Sequence, residues 1–371
     1  MEETLQTCPA NPLDCGTLVD ATIRIKFVSK TQPDQVEGLW CPLLPTGTDQ
    51  IGACRFSFDP NDRDYDFLVA YEDLSPLPGS SKVLRREPLA CAPINTMLLT
   101  TEPASIRIDG PRYLRQFGHV WTHKHPSLVH HPRQIRETPP LRFFYGRNLA
   151  GGAHLTIPEN PPEKSADLSA MSSTKAMAHT VHARRLAFFS ELKVELGEML
   201  NLFGRGIQPV DDKAEAMATY RYHIAVENHV EPGHFTEKLT DCFVAGCLPF
   251  YFGDPDYAKI FPSDALIPID IFDVLATAQI IRDAIATDQF QSRQNALMEA
   301  RATTLDRFNT LRAVADRVEK VYDEHTNRGG VIHGRHAFRK AHPLKAAQDA
   351  LFVARSRRKS HAHPLQTVIE E

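Results

Sequence analysis

Residues 222–255 read Tyr222-His223-Ile224-Ala225-Val226-Glu227-Asn228, a loop, Thr236-Glu237-Lys238-Leu239-Thr240-Asp241-Cys242-Phe243-Val244-Ala245-Gly246, and then Leu248-Pro249-Phe250-Tyr251-Phe252-Gly253-Asp254-Pro255. Two apolar runs of strand length flank a helical segment that opens on a capping threonine and closes on glycine. This predicts one strand–helix–strand unit of a parallel sheet. Ligands of open α/β sheets lie beyond the carboxyl ends of the strands, where the pattern puts Glu227 and Asn228. Glu237, in the first helical turn, suits the helix dipole, and Lys238 opposes it. A cation added to an already positive helix end makes sense when an anion binds there, and phosphate is the usual guest.

Upstream, Gly204-Arg205-Gly206 follows the apolar run Met199–Phe203, again at an expected strand end. Thr236-Glu237-Lys238 alone is what an ordinary solvated helix start looks like. A strand ending in Glu-Asn and a second cation at Arg205 set it apart. Arg205 and Lys238 are therefore expected to clamp a diphosphate, Arg205 through bidentate bonds. The two glycines would let backbone approach the ligand closely, and Glu237 would accept from ribose hydroxyls. The third glycine of a dinucleotide fingerprint is missing, which speaks against NAD.

Strand and helix patterns alternate through the rest of this half. Leu168–Ser172 and Ile267–Ile271 are expected strands; 176–197, 211–219 and the sequence to about 328 are expected helical. The N-terminal half shows strand-like runs at 23–28, 66–70, 96–100 and 117–122. Between the halves, 139–162 holds Pro-Pro twice and Gly151-Gly152, a linker composition. The expected organisation is an N-terminal α/β unit over 1–160, a ligand-binding α/β unit over 161–330, and a tail over 331–371. That tail carries eight Lys or Arg against three Asp or Glu, leaving the rest of the chain near −9. In it Leu344, Ala347, Leu351 and Ala354 would share a helix face beside Arg355, Arg357, Arg358 and Lys359. Such a helix suits either a protein surface or, through 341–359, an anionic membrane surface.

Composition sets the outer limits. The 371 residues are 42% hydrophobic and 24% charged with a net charge of −4, ordinary for a globular protein and unlike a nucleic-acid coat protein. No run approaches the ~20 apolar residues of a membrane span. The seven cysteines are scattered without Cys-x-x-Cys pairs, so reduced thiols are expected. With no signal-peptide pattern in Met1–Gln6, the expected location is cytoplasmic, with peripheral contact at the inner face of a membrane.

Glu227-Asn228, then Glu237-Lys238, running on to Ala245-Gly246, Pro249 and Gly253-Asp254-Pro255, resembles the signature of the bacterial α-1,3/4-fucosyltransferases of glycosyltransferase family 10. Phe203-Gly204-Arg205-Gly206 and Tyr220-Arg221-Tyr222-His223 are similar to bacterial members as well. The resemblance is strong over about 168–270 and weaker toward the N-terminus. It implies the α/β GT-B fold, two Rossmann-like domains facing across a cleft, and GDP-L-fucose as donor with inversion at the anomeric carbon. It also implies that Arg205 and Lys238 hold the diphosphate, Glu237 the ribose, and Asn228 the donor. His234 stands where relatives carry a tyrosine at the nucleotide. His229 replaces the usual Ser or Thr after Glu-Asn, and Cys242-Phe243 replaces an Ala-containing pair. The expected activity is transfer of fucose to a hydroxyl of a glycan acceptor, α-1,3- or α-1,4-linked. The alternatives are another nucleotide sugar on the same scaffold, or a non-catalytic nucleotide-sugar or glycan-binding protein.

An inverting transfer needs a base for the acceptor proton. Glu102, in Thr100-Thr101-Glu102-Pro103 after the apolar run 96–100, matches the family's Glu-Pro setting and is the catalytic candidate. Glu87-Pro88 is a rival, though Arg85 and Arg86 beside it suit a surface loop. Asp-x-Asp triplets at 62–64, 64–66 and 254–256 could hold a divalent metal, yet the two cations do the same electrostatic work, so no obligatory cofactor or metal is expected. His179 with His182, and His130 with His131, lack a third ligand. Trp40 and Trp121 could stack on acceptor sugars, yet large aromatics are more often core, and neither is assigned to the site.

Overall fold

The computed structural model describes residues 22–31, 36–147, 157–172 and 181–361, with backbone alone at 36, 37, 182 and 358–361. Two parallel sheets organise it. The first has strands β1 (Ile23–Ser29), β2 (Gln50–Ile51), β3 (Cys54–Ser57), β4 (Phe67–Tyr71), β6 (Thr96–Thr100), β7 (His119–Thr122) and β8 (Gln134–Ile135), in the order β2-β3-β1-β4-β6-β7-β8. All neighbours are parallel except β2 and β3. The second is fully parallel: β9 (Ala166–Met171), β10 (Leu200–Phe203), β11 (Tyr220–Val226), β12 (Leu248–Phe252) and β13 (Ile267–Pro268), in the order β10-β9-β11-β12-β13. Every residue of β4 and of β6 is buried, as parallel strands covered on both faces require. These two α/β units facing each other are the expected GT-B architecture.

Helices α1 (Val36–Trp40), α2 (Pro111–Leu114), α3 (His182–Leu196), α4 (Glu237–Ala245), α5 (Val274–Ala286), α6 (Gln289–Ser292), α7 (Gln294–Arg307) and α8 (Thr310–Val321) surround the sheets. α8 buries Leu311, Val314, Ala315 and Val318, and its Glu319 accepts from the Ala53 N–H at 2.8 Å. This helix thus covers the β2–β3 edge of the first sheet, although its sequence falls in the expected second unit. Its apolar face closes a sheet edge that the N-terminal half leaves bare.

The tail also returns to the first unit. β14 (Val331–His333) pairs antiparallel with β5 (Arg86–Pro88), and α9 (Arg335–Ala341) and α10 (Pro343–His361) follow. Asp349 of α10 caps α2, accepting from the N–H groups of Arg112 at 3.0 Å and Tyr113 at 2.9 Å. A Cβ at Gly110 would collide with Asp349, so glycine is needed there. The expected shared face does form on α10, and it faces solvent: Leu344 is 81% and Leu351 60% exposed, with Ala347 and Ala354 also exposed.

Several expectations change in detail. The strand over 267–271 shortens to Ile267–Pro268, and the helix over 211–219 reduces to a 3-10 turn, Lys213–Ala216, closed by an Asp212–Glu215 capping box. Gly151-Gly152, His179 and the start of the helix expected from 176 lie outside the described residues. Trp40 is buried against Phe27 and Tyr71, as core.

Candidate active site

β11 ends with Glu227 and Asn228 at its carboxyl end, and α4 begins nine residues later. Glu227 is buried and turns back onto the helix start, accepting from the Thr236 N–H and Oγ1, each at 2.7 Å. The Thr236 hydroxyl caps α4 by accepting from the Lys238 N–H at 3.3 Å. Lys238 Nζ then lies 3.0 Å from Thr236 Oγ1, 3.3 Å from Glu227 and 3.5 Å from Glu237. Burial alone would raise the Glu237 carboxyl, but Lys238 and then Lys213 overcome it and hold it at about 2. Lys213 also bonds the buried Asp241 at 2.8 Å.

Asn228 Oδ1 accepts from Arg185 Nη1 at 2.8 Å. Arg185 is a buried guanidinium on α3, bonded also to the Met171 carbonyl at 3.3 Å, and its Nε has no partner among the described residues. Burial lowers its pKa against the pull of Glu227 and Glu237. Arg185 thus sets a buried guanidinium against Asn228, within electrostatic reach of Glu227 and Glu237.

Asn228, Glu237 and Lys238, with His234, line a hollow of about 390 Å³ between the two units and face Glu102 and Tyr71 of the first unit; Arg185 sits behind Asn228 and does not line it. Glu102 is partly exposed, and Lys30 Nζ stands 3.6 Å from its carboxylate. Its backbone N–H donates to Glu72 at 3.2 Å. Four of the expected residues around the ligand, Asn228, His234, Glu237 and Lys238, therefore meet the expected base across one cleft. His234 is buried and stacks on His123 at 4.5 Å between ring centroids.

Arg205 does not join them. It is exposed beyond the edge strand β10 and does not line the hollow; residues 173–180, after β9, lie outside the described residues. The turn around it closes on its own backbone. The Gly204 N–H donates to the Gln208 carbonyl at 2.7 Å, and a Cβ at Gly204, whose φ is +136°, would collide with the Ser172 carbonyl. The glycines expected to admit a ligand instead admit the neighbouring strand end. Arg185 is the guanidinium that packing brings to the Lys238 cluster. Arg184-Arg185 offered a faint signal, two arginines at the start of an amphipathic helix, but nothing local says which one turns inward.

The rival Glu87 is not in a surface loop. It is buried in β5, bound by Lys26 and Arg63, each at 2.8 Å. Of the Asp-x-Asp carboxylates, Asp64 and Asp66 pair with Arg24, and Asp254 Oδ1 accepts from the N–H groups of Gly233 and Asp256 while its buried Oδ2 has no hydrogen-bond partner among the described residues.

Behind Glu102 lies a charge network that sequence reasoning missed. Glu72, at a positive φ of 71°, accepts from the Thr101 N–H and hydroxyl and pairs with Arg107. Burial would raise its carboxyl, but Arg107 and Thr101 pull it below the usual range. Arg107 also pairs with Asp109 at 2.9 Å, and Arg335 of α9 donates to the Glu72 carbonyl at 3.2 Å. A non-glycine residue held at positive φ beside a site is the mark of an imposed geometry.

Two α/β units with a hollow at their seam make up a GT-B scaffold. Residues 162–291 match the model of glycosyltransferase family 10 (fucosyltransferase) C-term. It is 22% identical over 173 residues to the alpha-(1,3)-fucosyltransferase FucT of Helicobacter pylori, covering 47% of this chain and 30% of that protein. It is 27% identical over 125 residues to the 4-galactosyl-N-acetylglucosaminide 3-alpha-L-fucosyltransferase FUT6 of Pongo pygmaeus, covering 31% of this chain and 33% of that one. The matched stretch thus spans about a third of the length of these relatives. A crystal structure of an alpha1,3-fucosyltransferase with GDP-fucose superposes with a TM-score of 0.45 at 14% identity, over 88% of this chain and 96% of that one. That likeness is too loose to carry residue correspondences.

Proposed function

We propose that the protein transfers L-fucose from GDP-fucose to a hydroxyl of a glycan acceptor, with inversion and an α-1,3 or α-1,4 linkage. The observation that supports this best is Asn228, Glu237 and Lys238 around one helix start, facing Glu102 across the hollow, with Arg185 bonded to Asn228 behind them. Lys238 takes the diphosphate and Glu237 the ribose hydroxyls. The acceptor oxygen bonds to the anomeric carbon as the bond from that carbon to the diphosphate breaks. Glu102 receives the acceptor proton, and the electron pair leaves with GDP. Fixed cations aimed at the departing diphosphate supply most of the stabilisation, so the step needs no metal.

Calorimetric titration of GDP tests the donor site: Lys238→Ala should weaken GDP by roughly 10- to 100-fold, and unchanged affinity would refute the site. Mass spectrometry of products from GDP-fucose and a glycan library tests the transfer. His229 lines the hollow and hydrogen-bonds Ser105 of the opposite unit at 2.7 Å, which favours a second reading in which another nucleotide sugar is used. A panel of donors against one acceptor separates the two. The exposed Leu344, Ala347, Leu351 and Ala354 stripe, with Lys345 and Arg355 beside it, supports peripheral contact with the anionic cytoplasmic face of a membrane. Co-sedimentation with anionic but not neutral vesicles, weakened by salt, is the expected result.

A further inference from the structure

Lys30, Arg142 and Lys238 bring positive charge to the lining of the hollow described above. Two of them are engaged with carboxylates there: Lys30 with Glu102 at 3.6 Å, and Lys238 with Glu227 at 3.3 Å and Glu237 at 3.5 Å. The remaining carboxylate of the lining, Glu72, pairs with Arg107. Arg142 has no carboxylate partner among the described residues, and its Nη1 makes one long hydrogen bond, to the Thr31 hydroxyl at 3.5 Å. Its guanidinium is held by rings instead, over Trp40 and Phe144 at 5.6 and 5.5 Å from their centroids. Such contacts fix the plane of the guanidinium and leave its fork of N–H donors open.

Both units set the place of this side chain. Trp40 ends α1 of the first unit. Phe144 belongs to the segment that follows β8, whose backbone is pinned to the second: the Phe144 N–H donates to Asp241 of α4 at 2.9 Å, and the Gly146 N–H to Asp212 at 3.0 Å. Phe143 and Tyr145 are buried beside them. α4 also carries Lys238 in its first turn, so Arg142 is anchored to the helix whose N-terminus opens into the hollow. A second guanidinium, Arg147, lies 5.3 Å from the Phe144 ring centroid, and its buried Nε has no partner among the described residues. Burial and then Arg142 lower the pKa of Arg147. Two guanidiniums around one ring repel each other, and an anion beside them relieves that repulsion.

Resting on the transferase reading, we propose that Arg142 binds the diphosphate of the donor, which lies between Arg142 on one wall of the hollow and Lys238 on the other. The planar fork matches two phosphate oxygens at once, and Lys238 adds a point charge at the helix start. The diphosphate thereby joins the segment leaving the first unit to a helix of the second. From the other side of the cleft, Arg142 does what the sequence pattern led one to expect of Arg205.

The test is calorimetry on the full chain with GDP and GMP, which share base, ribose and first phosphate. The wild type should bind GDP at least ~10-fold more tightly than GMP, and Arg142→Gln should weaken GDP by roughly 10- to 100-fold, the scale of a lost charged hydrogen bond. GMP should weaken much less, so that the preference for the diphosphate collapses. An unchanged GDP affinity, or equal losses for GDP and GMP, would overturn the proposal and leave Arg142 a packing residue of the seam. A wild type that binds both nucleotides alike would overturn it as well. If the glutamine variant binds neither nucleotide, Arg142→Lys takes its place, since it keeps the stem and a charge but not the fork. Its preference for GDP should then fall at least ~3-fold, and an undiminished preference overturns the proposal. In each of these outcomes the wild type still binds GDP and the donor site stands. Failure of the wild type to bind GDP at all would instead remove the transferase reading, and the role of Arg142 with it.

Discussion

On the C-terminal side of the cleft, Glu227, Asn228, Thr236, Glu237 and Lys238 come from one strand–loop–helix unit of twelve residues. On the N-terminal side, Glu72, Thr101, Arg107, Asp109 and Arg335 come from segments as much as 263 residues apart. The first cluster is organised by a helix start, whose bare N–H groups and capping hydroxyl draw charged side chains inward. The second has no such local template. It exists because burial leaves its carboxylates no alternative but to pair, and the pairing fixes the backbone that carries Glu102. The cleft thus sets a locally coded cluster around a helix start against a carboxylate, Glu102, whose position is held by distant residues.

The sharpest way to break this contrast is Arg107→Ala. It leaves the buried Glu72 carboxylate without its guanidinium, an error that costs about 3–5 kcal/mol in comparable buried pairs. A large drop in the urea midpoint is expected, and an unchanged midpoint would show that the network does not hold the N-terminal side together. Next, Glu102→Gln should cut turnover at least ~100-fold, the scale of general-base loss, with GDP affinity nearly intact. Normal turnover would move the base elsewhere.

On the other side, Arg185→Ala and Lys238→Ala should each weaken GDP by roughly 10- to 100-fold, as expected for losing a charged hydrogen bond. Arg205→Ala should change it less than about threefold, since exposed surface substitutions rarely exceed ~0.5 kcal/mol. Equal losses at 185 and 205 would restore Arg205 to the site.

The smallest effects come from pH. Burial, with His234 and Lys124 nearby, lowers His123 to about 2; burial, with His229 and Lys238, lowers His234 to about 3. The unfolded chain therefore binds protons on these rings before the folded one does, and stability falls as pH drops below ~6.5. Glu237, held at about 2, adds to that loss only below ~4.5. Asp73 opposes it: burial raises its carboxyl to about 6, so the folded state takes up its proton first and gains stability between pH 6 and ~4. Urea midpoints at pH 7.5 and 5 should converge in His123→Asn and diverge further in Asp73→Asn.

The legible parts of the molecule share one property. The run 96–100, the strand over 220–226 and the helix after Thr236 are all coded by neighbours in sequence, through periodicity and a capping hydroxyl. Lys238 and Glu237 were identifiable because a helix start is a local object. A glycine-flanked arginine after a strand reads in sequence as a phosphate loop, whereas in the structure Gly204 lies against Ser172 and Arg205 is exposed. Arg184 and Arg185 look alike in sequence; packing sends one to Glu191 and the Ile271 carbonyl and the other to Asn228.

Sequence alone therefore determined the two parallel α/β units, the capped helix and the carboxylate after the sixth strand, since hydrogen-bond ladders, caps and apolar periodicity act within a few residues. Tertiary structure alone decided which arginine meets Asn228, that α8 and the tail return to the first unit, and that Glu72, paired with Arg107, holds the backbone of Thr101 and Glu102. Those choices depend on which side chains are removed from water together, and desolvation is a property of the packed whole.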